Sequence, residues 1–213
     1  MGTEGCGLLA ATSIGEVVEA IEAARGSDRL LVGIAGEPGA GKSTITALLV
    51  AALGPTAALL PMDGYHLPQQ RLRELGRRDR MGAPDTFDVP GFVDAIARVK
   101  NSGSTQFAAD FDREIEEPVP NAIAFQPELR TIIVEGNYLL LETGGWHGVR
   151  PLLDLTFFVE VDPELRRQRL IERHIRFGKS PEDARAWALG PDETNARVIH
   201  ASAARADDVI RLP

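Results

Sequence analysis

The stretch GEPGAGKST, residues 36 to 44, puts three glycines, one lysine and two hydroxyls into nine positions. So little apolar content cannot fill a core. The spacing Gly36-x-x-x-x-Gly41-Lys42-Ser43 fits the phosphate-binding loop. Glycines let successive backbone N–H groups point at one anion. A helix starting near Lys42 would aim the positive end of its dipole at the same place. Every residue of the stretch, Gly36, Glu37, Pro38, Gly39, Ala40, Gly41, Lys42, Ser43 and Thr44, is therefore a candidate for the nucleotide side of a site. Lys42 would reach the β and γ phosphates, and Ser43 would ligate Mg²⁺. The alternative is a chance glycine-rich turn, but the flanks argue against it. LLVGIAG (30–36) reads as a buried strand before the loop, and TITALLVAAL (44–53) reads as a helix after it.

Strand and helix signals go on alternating outward from there. SIGEVVEAIEAA reads as an amphipathic opening helix, with Ile14, Val17, Val18 and Ile21 on one side. AALLPMDG (57–64), RTIIVEGN (130–137) and LTFFVEVD (155–162) read as further buried strands, and ADDVIRL (206–212) as a closing one. GFVDAIARVK (91–100) reads as a helix and TQFAADFD (105–112) as part of a small side hairpin. Asp162-Pro163 and Ser180-Pro181 each start a helix, with a side-chain cap followed by proline at the first position. The alternation predicts a single α/β domain over 1–213, a three-layer sandwich with a mostly parallel central sheet and helices on both faces. In such sheets ligands gather at the carboxyl ends of the strands.

That rule selects the other candidates. Glu135 ends the apolar run TIIV, where it would help hold Mg²⁺; an ordinary strand-end carboxylate is the alternative. Asp63 ends the run LLPM, where it could accept a proton from an attacking hydroxyl; a plain Asp-Gly turn is the alternative. Arg166, Arg169, Arg173 and Arg176 fall on one face of the helix after Pro163. They read either as a cationic lid over transferring phosphate or as a solvated stripe. Glu164 and Glu172 should project outside that face.

Composition narrows the class. The net charge of −8 speaks against a nucleic-acid partner. No apolar run approaches membrane-spanning length, and the first residues carry no basic leader, so we expect no membrane partner and a cytoplasmic setting. The single cysteine, Cys6, excludes an internal disulfide and suits the same compartment. The Met-Gly start lacks the Ser or Thr at position 6 that a myristoylation signal wants. Neither a hydrolase Gly-x-Ser-x-Gly elbow nor the protein-kinase signature set is present.

Beyond the loop, PMDGYHLP, GAPDTFDVPGF, FDREIEEPVP, IIVEGNYLLL and LIERHIRFGKS follow one another in order. With these motifs the chain resembles the P-loop small-molecule kinases that include uridine kinase, bacterial pantothenate kinase and phosphoribulokinase. It looks closest to bacterial nucleoside/nucleotide kinase or fructose-transport-associated kinase-like proteins. The resemblance implies ATP and Mg²⁺ as cofactors and a small-molecule phosphoryl acceptor: a sugar such as fructose, a nucleoside or a pantothenate-like compound. It implies an acceptor-binding insertion at about 65–128 and a lid at about 163–180, after an N-terminal helix within about 1–28. It makes Asp63 the catalytic base, with Lys42 and Arg173 also catalytic and Arg169 on the nucleotide. Ser43 and Glu135 would hold the metal, and Tyr65, His66, Asp88 and Arg113 would bind the acceptor. Tyr65 and His66 could instead be a packed aromatic pair, and Asp88 the acid that starts the next helix. A homodimer is left open. The rival reading is a P-loop NTPase or nucleotide-sensing regulator with no acceptor at all.

Overall fold

A computed structural model of the chain describes residues 11 to 211. Cys6 and the Met-Gly start lie outside these described residues. In chain order the main elements are α1 (Ile14–Ala24), β1 (Leu30–Gly36), α2 (Lys42–Leu53), β2 (Ala57–Pro61), α3 (Gln69–Glu74) and α4 (Val89–Asn101). The hairpin β3 (Gln106–Asp112) and β4 (Glu117–Phe125) comes next. The chain then runs through β5 (Thr131–Gly136), β6 (Leu155–Val159), α5 (Pro163–Arg176), α6 (Pro181–Leu189), α7 (Pro191–His200) and β7 (Asp208–Ile210).

The central sheet has the order β2-β5-β1-β6-β7, and every pairing in it is parallel. Strands buried on both faces must be apolar throughout. β5 meets this with Ile132 and Val134 in the core on one face and Ile133 in the core on the other. The first core also holds Phe92 of α4, Phe125 of the hairpin, Tyr138 and Trp146; the second holds Ile21 of α1 and Leu49 of α2. Helices therefore cover both faces, as the alternation predicts. The predicted caps form: the Asp162 carboxylate accepts from the N–H groups of Glu164 and Leu165, and the Ser180 hydroxyl from that of Asp183.

Three elements were not read from the sequence. α3 lies in the polar excursion after β2, and α7 follows Gly190 with Pro191 at its first turn. β4 carries Pro118 and Pro120, which read as strand breakers. It tolerates them because, among the described residues, it pairs only with β3 and leaves its other edge free.

The hairpin's position follows from one glycine. β2 ends in a tight turn, Met62–Tyr65, and β3 crosses directly over it. A Cβ on Gly64 would lie 2.3 Å from the Ala109 carbonyl oxygen. Gly64→Ala must push backbone against backbone, so we expect it to cost at least about 1–3 kcal/mol. The shift would show as a lowered urea midpoint; an unchanged midpoint would mean the hairpin is not seated on this turn.

Candidate functional site

The parallel register gathers three strand ends on one edge of the sheet. Glu135 stands level with Ile34 of β1 and Pro61 of β2, so the 36–41 loop, Glu135 and Asp63 converge. A cavity of about 850 Å³ opens there. The loop and Asp63 line its floor, the hairpin turn with Arg113 one wall, and α5 to α7 the other.

Lys42 is the most constrained group. It is 7% exposed, and its Nζ donates to the carbonyls of Gly36 (2.9 Å) and Glu37 (3.0 Å) and to Asn137 Oδ1 (2.6 Å). Burial lowers its pKa to about 8, against the opposing pull of Glu135 and Asp63. The lysine is thus aimed across the mouth of the loop, with three acceptors that an incoming phosphate oxygen can replace. Gly41 caps α2 in the left-handed conformation, with φ 91°.

Ser43 Oγ donates to Glu135 Oε1 at 3.0 Å, and Thr46 Oγ1 approaches Glu135 Oε2 at 3.4 Å. Burial pushes the Glu135 pKa up, and Lys42 opposes it. A hydroxyl and a carboxylate side by side form a hard-oxygen pair that suits Mg²⁺, which takes one or two protein oxygens and keeps water and phosphate for the rest.

Asp63 accepts from Arg113 Nη2 at 2.7 Å. Burial pushes its pKa up, but His66, Arg113, Lys42 and Arg173 outweigh that and hold the carboxyl below its ordinary value. It is an anion at neutral pH. His66 beside it donates from Nδ1 to the Asp63 carbonyl (2.8 Å) and packs on Phe87 and Phe111, with ring centroids at 4.1 and 4.8 Å.

On α5, Arg169, Arg173 and Arg176 line the cavity, and none makes a side-chain hydrogen bond or ion pair among the described residues. Burial and the neighbouring Arg113 lower the Arg173 pKa from a very high value, so it remains a cation. Three unpaired guanidinium groups facing one cavity are a ready anion clamp. Arg166 departs from the predicted stripe. It is 2% exposed and lies beneath the loop, paired with Glu37 and Glu193. Glu172, expected off the arginine face, also lines the cavity.

Two acceptor candidates sit elsewhere. Tyr65 packs its ring on Phe92, at 5.1 Å, and is not among the cavity-lining residues. The Asp88 carboxylate caps α4 by accepting from the Gly91 N–H at 3.0 Å, and it too is outside the lining. For both, the alternative left open from sequence describes the geometry: a packed aromatic and a helix-starting acid. Residues that sequence reading passed over include Asn137, the partner of Lys42, and Asp192 and Asn195 of α7, both buried at the cavity wall. Asn137 had a signal, because it follows Glu135 by two positions at a strand's carboxyl end.

No family model matches the chain. Whole-chain comparisons do find relatives. An ATP-dependent kinase-like protein of Aspergillus versicolor is 37% identical over 162 residues, 71% of this chain and 90% of that protein. A Schizosaccharomyces pombe protein provisionally named a uridine kinase is 32% identical over 169 residues, 75% of this chain and 72% of that one. Among solved structures, a Silicibacter protein provisionally named a fructose transport system kinase superposes with a TM-score of 0.87. It is 33% identical, and the match covers 94% of this chain and 100% of that one. No helix among the described residues is long and apolar enough to cross a membrane.

Proposed function

Because the chain belongs to the P-loop kinase family of uridine kinase-like, pantothenate kinase and ATP-dependent kinase-like proteins, we propose that it transfers the γ-phosphoryl group of ATP, with Mg²⁺, to a hydroxyl of a small polar metabolite. The observation that carries the reading is Asp63. A carboxylate whose pKa His66, Arg113, Lys42 and Arg173 hold below its ordinary value stands just past the end of the strand next but one to the phosphate loop, and a nucleotide switch has no use for it. In the proposed reaction the loop N–H groups and Lys42 hold the phosphates, and Asp63 accepts the hydroxyl's proton. Arg169, Arg173 and Arg176 balance charge on the transferring group and help exclude water. Ser43 and Glu135 would hold Mg²⁺, which neutralises charge on the β and γ phosphates when bound. A low pKa does not disqualify Asp63: phosphoryl transfer is loose, so the base chiefly orients the hydroxyl until late in the step.

The acceptor proposed first is a sugar such as fructose, on the similarity to the Silicibacter protein. A nucleoside is the second choice, because a relative carries the uridine kinase name. Such a kinase would draw on cytoplasmic ATP. Incubating the protein with MgATP and a panel of sugars, nucleosides and pantothenate, with ADP and phosphorylated product read together, tests the proposal. Product from one class supports it and names the acceptor. ADP without product would favour an NTPase.

Lys42 adds a pH prediction. Bound phosphate favours the ammonium form, so ATP binding above pH 8 must take up a proton. ATP affinity should therefore fall above about pH 8, by up to about tenfold per pH unit. Lys42→Met should bind weakly and without that slope. Stability should move the other way. The folded pKa lies below the ordinary value of 10.5, so the unfolded chain holds more protons between about 8 and 10.5. The cost of burying the charge is full below pH 8 and is relieved as pH rises through that window. Calorimetric titration of ATP and urea melts at pH 7, 8, 9 and 10 check both signs. A flat affinity curve would mean that Lys42 does not meet the phosphates.

A further inference from the structure

α5 begins beneath the phosphate loop. A Cβ on Gly39, whose φ is 81°, would lie 2.7 Å from the Arg166 carbonyl oxygen. The Arg166 side chain fills the space between the loop and α7. Its Nε stands 2.7 Å from Glu37 Oε2, and its Nη2 bonds Glu193 of α7. Glu193 is gripped again by Arg167, Nη2 to Oε1 at 3.0 Å, and its pKa falls to about 2. The other Glu37 oxygen meets His200 Nδ1 at 3.0 Å, in the last turn of α7. The Glu37 carboxylate is thus held from two helices, while its backbone carbonyl holds Lys42.

This network is a poor way to gain stability. Arg166 is almost wholly buried, its Nη1 finds no hydrogen-bond partner among the described residues, and its Nε points off the axis of its contact with Glu37. A buried ion pair with unsatisfied donors is commonly no better than well-packed apolar residues. What it supplies is a fixed register between charged partners.

We propose that Glu37 and Arg166 are positioning residues for phosphate binding. They pin the loop to α5 and α7, so that its N–H groups are shaped before phosphate arrives rather than by it. A loop already ordered loses less conformational freedom on binding and binds more tightly. The proposal rests on the nucleotide reading above.

Glu37→Gln and Glu193→Gln each leave Arg166 with one carboxylate, and Glu193→Gln also takes a partner from Arg167, so a merely structural role predicts that Glu193→Gln loses at least as much melting temperature and ATP affinity as Glu37→Gln. The positioning role separates them. Glu37→Gln should weaken MgATP binding about tenfold by calorimetry and speed amide exchange over residues 36–41. Glu193→Gln should keep affinity within about twofold of the parent protein, because Glu37 then has Arg166 to itself. If Glu37→Gln melts too low to assay, Glu37→Asp keeps the charge on a shorter arm and should also weaken binding. Parent-like affinity in the Glu37 variants, with the parent binding MgATP, would overturn this inference alone. A parent protein that binds no MgATP would overturn it together with the kinase reading.

Discussion

Replacing Asp63 with asparagine should lower phosphoryl transfer by about 10²–10⁴-fold, the usual contribution of a positioned general base. The substitution keeps shape and removes the negative charge that the proposed proton acceptor needs. Fold and ATP binding should persist. The Asp63–Arg113 pair is a third or more exposed on both sides, so its loss should change stability by no more than about 1 kcal/mol. ATP binding should improve slightly if it changes at all, because an anion next to Lys42 and Arg173 is gone. The check is kcat for product formation beside ATP affinity for the same preparation. Parent-like turnover in Asp63→Asn would remove this residue from the mechanism.

Lys42→Met should cost about 10²–10³-fold in transfer, the scale of losing one preorganised donor to developing charge. It should also weaken ATP binding, which separates it from Asp63→Asn. Methionine fits the buried stem but leaves three acceptors, two carbonyls and Asn137, without their donor. Stability can therefore move either way: a buried charge is removed and three acceptors are orphaned. The transfer defect at saturating ATP is the informative number. A variant that loses ATP affinity but keeps kcat would show that Lys42 binds ground state and transition state alike.

Much of this was legible in the chain because phosphate chemistry leaves local signatures. The loop, its flanking strand and helix, and the strand-end acids Asp63 and Glu135 are all written in short contiguous stretches. The parallel order then brings them to one edge without further information. What escaped depends on contacts between distant segments. Helical periodicity puts Arg166 on the face shared by Arg169, Arg173 and Arg176, yet only packing decides that Arg166 is buried under Gly39. The same is true of Asp88, where an acid after Thr-Phe can cap a helix or face a substrate; the Gly91 N–H takes it. α7 carried a proline start and acids in its first turn, both ordinary helix signals. Its two buried polar residues, Asp192 and Asn195, become intelligible only once the cavity is seen.

The most direct test of the kinase reading is the fate of the γ-phosphate. ATP labelled at that position should be incubated with the protein, Mg²⁺ and the acceptor panel, and the label traced by mass spectrometry. We predict that it appears on the hydroxyl of one acceptor class, one phosphoryl group for each ADP released, and that Asp63→Asn slows its appearance by about 10²–10⁴-fold. Label recovered only as inorganic phosphate, at a rate no acceptor alters, would contradict the account.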